Sequence, residues 1–195
     1  MTSPSVGDHA QLNSSQRERR QRIILETTVL AADGGWDGVQ MREVASRSGV
    51  ALGTLYRYFP SKEYLLVSVM LEQVEGLAER LAVRPPRGED PVARVVDVLG
   101  RADRALQREP QVTVAMIRAL VTGGPQVAPA VGAVRDAMRR IVTDAIGEPP
   151  GPDRTIRIDL LTDVWLASLV SWITGIEPAS GLVDRLATAA DVLLG

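Results

Sequence analysis

The segment from Val39 to Lys62, VQMREVASRSGVALGTLYRYFPSK, constrains the fold more than any other stretch of the chain. Two short runs with apolar residues at helical spacing, Met41 to Ser48 and Leu52 to Tyr58, are joined through Ser48-Gly49-Val50, and neither is long enough to be a stable helix by itself. They must pack on each other. Ala45 is small where the two would cross, Gly49 suits the left-handed backbone that reverses the chain, and Leu55 is placed to pack back onto Val44 and Ala45. Such a pair is a helix-turn-helix unit. With its core side occupied, the second helix turns Leu52, Gly53, Thr54, Arg57 and Tyr58 towards whatever it meets.

The rest of the chain repeats helical spacing between Gly and Pro breaks, with no sustained strand-like alternation, so the expected fold is all-α with about nine helices. Ser15 is placed to cap a first helix carrying Ile23, Thr27, Leu30 and Ala31, which stops at Gly34-Gly35. Pro60 and Ser61 precede a long fourth helix with the stripe Leu66, Met70, Val74, Leu77, Leu81, ended by Pro85-Pro86. A fifth opens at Asp90-Pro91 with Val92, Val95, Val96, Leu99 and Leu106 as its expected buried side, and Pro110 separates it from a sixth, about Gln111 to Thr122. The seventh, about Ala128 to Ile146, stops at Pro149-Pro150-Gly151-Pro152, and two more follow, about Arg154 to Thr174 and Ala179 to Leu194. The helix-turn-helix segment and the basic residues before it thus fall within 1–62, and the remaining helices within 63–195.

Residue usage narrows the chemistry. The 195 residues include no cysteine and one histidine, His9 in a polar leader, which leaves no thiolate nucleophile, no cysteine-held zinc and no histidine base within the folded part. An enzyme is not expected, nor a metal or other cofactor. The leader has no apolar run behind a basic start, and the longest charge-free apolar stretch, Val164 to Ile176, has 13 residues against the roughly 17–25 needed to span a bilayer. The expectation is a cytoplasmic protein that does not enter the membrane. Residues 1–62 carry eight basic and six acidic side chains, leaving fourteen and eighteen for the remainder, so the two ends differ in sign. Glu72, Glu75 and Glu79, and Asp159 with Asp163, have the spacing of ordinary exposed helix faces rather than of a catalytic pair.

A helix that reads double-stranded DNA brings small and hydrogen-bonding groups to base edges while cationic and hydroxyl groups fix register on the phosphates. The candidate readers and anchors are Ala51, Leu52, Gly53, Thr54, Tyr56, Arg57, Tyr58 and Lys62, with Gln40 and Arg42 from the helix before. Gly53 lets the backbone approach closely and Thr54 offers both a methyl and a hydroxyl. Upstream, Arg17, Arg19, Arg20 and Arg22 form a basic cluster suited to the phosphate backbone or a narrow minor groove. An arginine cluster alone is more often a solvated face. The adjacent motif favours the arm.

The eighth helix is apolar nearly all round: Leu161, Trp165, Leu169 and Trp172 lie on one stripe, and Leu166, Val170 and Ile173 on another. It therefore needs cover on two sides, its own bundle on one and a second copy of the chain on the other. The expected homodimer interface is Leu166, Val170, Ile173, Val183, Leu186 and Ala190. The expected lining of an apolar ligand site is Leu99, Met116, Leu120, Met138, Trp165, Leu169 and Trp172, although such stripes are as readily plain core.

TLYRYFPSK, preceded by MREVASRSGVALG, resembles the DNA-binding region of the tetracycline-repressor (TetR) family, with Gln40 standing where that family usually opens the helix with threonine. QRERRQRI at Gln16, VQMREVA at Val39, YRYFPSKEYLLVS at Tyr56 and DVWLASLVSW at Asp163 are similar to the branch of the family that represses cholesterol catabolism in mycobacteria and rhodococci. The resemblance implies a homodimeric repressor of operator DNA, released by a small apolar effector. It also implies a DNA-binding domain over 1–62, with a basic N-terminal arm, a helical ligand-binding and dimerisation domain over 63–195, and a sterol-derived coenzyme A (CoA) thioester as the effector. Arginines such as Arg108 or Arg118 are candidates to meet the phosphates of such a headgroup. A fatty-acid regulator responding to long-chain acyl-CoA is the nearest alternative. A small helical enzyme acting on lipid thioesters and a helical adaptor binding only protein are the competitors from other classes.

Overall fold

In the computed structural model of the chain, residues 14–148 and 151–195 are described, so His9 and the linker residues Pro149 and Pro150 lie outside them. The described residues form helices and connecting turns, without a strand. They belong to two compact units, one drawn from residues 1–72 and 109–134 and the other from 73–108 and 135–195. The first unit thus takes in the sixth helix beside the helix-turn-helix segment, whereas a division of the chain at residue 62 assigns that helix to the C-terminal part.

In the first unit, α1 (Ser14–Gly38) buries Ile23, Ile24, Thr27, Leu30 and Ala31 and packs against α6 (Pro110–Thr122). The expected stop at Gly34-Gly35 is present as a break, with Gly35 in left-handed backbone at φ 56°, and a short turn continues to Gly38. Two short helices follow, α2 (Met41–Arg47) and α3 (Leu52–Tyr58). The first turns of α4 (Lys62–Val83) then enter the unit, capped by Ser61, whose Oγ accepts the Tyr64 N–H at 3.1 Å. Leu65, Leu66, Val67, Ser68 and Val69 are all buried, so this part of α4 is enclosed on every side. Pro110 is the first residue of α6 rather than a spacer before it, where its fixed φ suits a helix start and its missing N–H costs nothing. A short 3₁₀ segment, Gly124–Val127, leads into α7 (Ala128–Ile146).

The second unit contains the remainder of α4 and α7, with α5 (Pro91–Arg108), α8 (Pro152–Ile173) and α9 (Leu182–Leu194). Helix α9 packs against both α5 and α8. It begins later than its sequence suggests, because Ala179–Gly181 forms a 3₁₀ turn first. The buried side of α5 also differs from expectation: Val95, Val98, Leu99, Ala102 and Asp103 are buried, while Val92, Val96 and Leu106 are half-buried. The stripe that faces the interior keeps strict three- and four-residue steps, and that register passes through the charged Asp103 rather than through the flanking valines.

Arginines stitch this unit together. Arg94 on α5 donates from Nε to the Ala145 carbonyl at 2.8 Å and from Nη2 to the Ile146 carbonyl at 3.0 Å, satisfying end groups of α7. Arg139 on α7 holds Asp159 on α8 through two bonds of 2.8 and 2.9 Å, and Arg135 reaches Asp163 at 3.3 Å one turn further along. The carboxylates of Asp159 and Asp163 are thus partners in helix pairing. No described helix is long and apolar enough to cross a membrane.

Candidate DNA interface and effector region

The helix-turn-helix is assembled as its sequence dictates. Val44 and Leu55 are fully buried and Ala45 nearly so, which brings α2 and α3 into contact through small and branched side chains. Gly49 takes φ 66°, and the Val50 N–H closes the turn on the Ala45 carbonyl at 3.0 Å. Ser48 is buried with its hydroxyl donating to the Val44 carbonyl at 2.6 Å, while its own carbonyl accepts Arg22 Nε at 3.0 Å. Arg22 therefore pins the turn to α1. Gln40 precedes α2 in extended backbone, and its side chain makes no capping bond.

What this assembly leaves outside is the set a groove could meet. Arg17, Gln40, Arg42, Ala51, Gly53, Tyr56 and Arg57 are exposed, and Arg19, Leu52, Thr54, Tyr58 and Lys62 are half-buried. The basic arm is divided, however. Arg20 lies over the Phe59 ring at 5.7 Å and reaches Glu72 at 3.5 Å, with only 12% of its side chain exposed. It holds α1 against α4 instead of standing free beside Arg17 and Arg19. Glu26 likewise pairs with Arg47 at 2.8 Å, linking α1 to α2.

Sequence reasoning missed Trp36. Lys62 Nζ stands 4.3 Å from its ring centroid and the Arg118 guanidinium carbon 4.6 Å, so one indole gathers a cation from the start of α4 and another from α6. Partial burial holds the Lys62 ammonium below its ordinary pKa, opposed by Asp37 and Glu63. A tryptophan just past a glycine pair, two residues upstream of Gly38, offered no periodicity from which this role was readable.

The expected effector-lining residues fall in both units. Leu99, Met138, Trp165, Leu169 and Trp172 belong to the second, where all but the half-buried Trp172 are buried; Met116, buried, and Leu120, half-buried, belong to the first. Arg118 is taken up by Trp36, and Arg108 is exposed at the end of α5. An open groove of about 670 Å³ runs between the starts of α5 and α8 and the end of α9, lined among others by Val92, Val96, Arg154 and Leu194, and includes none of the expected lining. Among the described residues no group of three or more His, Cys, Asp or Glu is placed to hold a metal ion.

The two stripes of α8 differ in exposure along most of the helix, though Trp172 and Ile173, expected on opposite stripes, are both half-buried. Leu161, Trp165 and Leu169 are buried, whereas Leu166 and Val170 are 38% and 36% exposed, with Ile156 and Leu160 open further along the helix. The interface set needs one correction. Leu186 and Ala190, expected to face a partner, are 1% and 0% exposed within their own subunit, because α9 packs them against α5 and α8. Ile173 and Val183 are half-buried.

Two family models match the chain: "Bacterial regulatory proteins, tetR family" over residues 23–69 and "Tetracyclin repressor-like, C-terminal domain" over 88–193. The HTH-type transcriptional repressor KstR of Rhodococcus jostii (strain RHA1) is 38% identical over 192 residues, covering 98% of this chain and 90% of that protein. The crystal structure of a TetR transcriptional regulator from Rhodococcus sp. RHA1 superposes with a TM-score of 0.87 at 36% identity, covering 93% of this chain and 98% of that one. The Bacillus subtilis regulator FadR, solved in complex with stearoyl-CoA, shares the fold alone, with a TM-score of 0.62 at 18% identity over 90% of this chain and 97% of that one. An all-helical fold, an N-terminal helix-turn-helix and near-full-length similarity to named repressors agree: the chain belongs to the TetR family and is a DNA-binding transcriptional repressor, not an enzyme.

Proposed function

We propose that this repressor acts as a cytoplasmic homodimer whose operator DNA is released by a bulky apolar lipid, a sterol-derived CoA thioester, in control of sterol or related lipid catabolism. The observation that carries the reading is that the similarity to KstR runs through the C-terminal helices, where an effector would bind, and does not stop at the DNA-binding segment. In the resemblance read from DVWLASLVSW and its companion segments, that branch governs cholesterol catabolism. Residues 1–62 would carry DNA binding and 63–195 effector binding and dimerisation. Thr54 and Gly53 would meet base edges, with Arg17, Arg19, Tyr56 and Lys62 on phosphates. The open apolar side of α8 supports pairing with a second copy, which buries Leu160, Leu166 and Val170.

A ligand shifts a two-state dimer only through its different affinities for the two states. The effector would favour a state in which the two recognition helices no longer match successive major grooves, about 34–36 Å apart. The FadR likeness favours one alternative, release by a long-chain acyl-CoA, since that relative was solved with stearoyl-CoA. Titrating sterol thioesters, free sterols and long-chain acyl thioesters against a labelled operator separates the two. Release by sterol thioesters is expected; release by straight-chain thioesters alone overturns the sterol reading.

A further inference from the structure

Two polar side-chain atoms are buried without a hydrogen-bond partner among the described residues: Asp103 Oδ1 on α5 and Trp165 Nε1 on α8. Both belong to the second compact unit. Asp103 is fully buried, one turn beyond Leu99 on the apolar stripe of its helix, and only its other oxygen is engaged, accepting Gln107 Nε2 at 2.6 Å. Trp165 is 9% exposed and sits one turn from each of the buried Leu161 and Leu169. A buried polar atom left unpaired costs about as much as the hydrogen bond it forgoes, so each such atom calls for an explanation, such as an ordered water or a bound ligand.

The chemistry of such a ligand follows from the two atoms. The indole N–H only donates, and an ionised carboxylate only accepts. A hydroxyl can donate to Asp103, and a hydroxyl or ketone oxygen can accept from Trp165. A hydrocarbon chain can do neither and would seal both atoms away from water unpaired. A CoA headgroup, being large and polyanionic, does not suit a fully buried carboxylate. Burial raises the Asp103 carboxyl to about 6, opposed by Arg104, which fits a site that receives a neutral donor rather than a second anion.

We propose that Asp103 and Trp165 are specificity-determining residues for the effector, and that the effector carries a polar oxygen, hydroxyl or ketone, on the apolar body that enters the second unit. This rests on the lipid-effector reading above and selects within it: oxygenated polycyclic lipids satisfy the two atoms, and simple straight-chain acyl groups do not.

The test uses the full chain on labelled operator DNA with a matched pair of polycyclic CoA thioesters, identical except that a ring oxygen in one is replaced by hydrogen in the other. The oxygenated compound should release the wild-type protein at a concentration at least about tenfold lower. Asp103→Leu and Trp165→Phe should bind operator as the wild type does, and at least one should lose most of that preference. The melting midpoint of Asp103→Leu should not fall; where the leucine variant does not fold, Asp103→Asn is measured in its place. Equal release of the wild type by both compounds overturns this inference and leaves the lipid-effector reading standing. A preference kept in both variants, or a large loss of stability in both Asp103 variants, also overturns it by making the two residues structural. If neither these thioesters nor straight-chain ones release DNA, the wider reading fails and takes this one with it.

Discussion

Asp103→Asn should flatten the pH dependence of stability. Burial within α5 lifts the Asp103 carboxyl from 3.8 to about 6, and the nearby Arg104 offsets only part of that rise. The folded protein therefore binds this proton more tightly than the unfolded chain does. The stabilisation from protonation is fully present below about pH 4, declines as pH rises, and is gone above about pH 6. Two pK units correspond to about 3 kcal/mol in all. At pH 5 the folded group is mostly protonated while the unfolded one is mostly ionised, so about 1.4 kcal/mol of the total falls between pH 5 and pH 7.5. Urea unfolding of both proteins at those two pH values isolates the effect, since other titrating groups, including Asp97 with its lowered pKa, cancel in the difference. The wild type should lose about 1.4 kcal/mol more than the variant on going to pH 7.5. Equal slopes, or a wild type that gains relative to the variant as pH rises, would mean that the ionised carboxylate is well satisfied in the folded protein.

Leu55 is fully buried where α2 and α3 meet, so Leu55→Ala should cost about 2–5 kcal/mol, and loss of operator binding should track loss of helical signal in thermal melts. Thr54→Ala should change preference among operator variants by about 1–3 kcal/mol, whereas Lys62→Ala should weaken binding to all of them alike and lower the salt slope by about one, both read by anisotropy titrations. Glutamate at Leu166 and Val170 together should give a folded monomer by sedimentation, because both side chains are open on the subunit surface. The same change at Leu186 should unfold the protein instead, since that side chain is 1% exposed.

The helix-turn-helix was legible because local chemistry alone determines it: Gly49 must reverse the chain, Ala45 must be small, and Leu55 must find Val44. Helix ends set by Pro and Gly were legible for the same reason, as at Pro91 and the Gly34-Gly35 break. What depends on distant partners was not. Nothing local distinguishes Arg20, held by Glu72 and Phe59, from Arg17, which is exposed. The bonds of Arg94 to the end of α7 span about fifty residues, and the two cations on Trp36 come from separate helices. On α9, Leu186 and Ala190 form a clean apolar stripe, but a stripe says only that it will be covered, not whether its own subunit or a second copy covers it. Asp103 carried a signal that was readable: a carboxylate at a core-facing step of an otherwise apolar stripe.

The most direct test of lipid-controlled repression is the affinity of the full-length protein for a sterol-derived CoA thioester, measured by calorimetry without DNA and again with saturating operator. If the ligand acts by favouring a state that cannot hold DNA, operator must weaken ligand binding by the same factor by which ligand weakens operator binding. Equal factors, well above one, are the predicted result. Tight ligand binding that is unchanged by operator DNA would contradict the account.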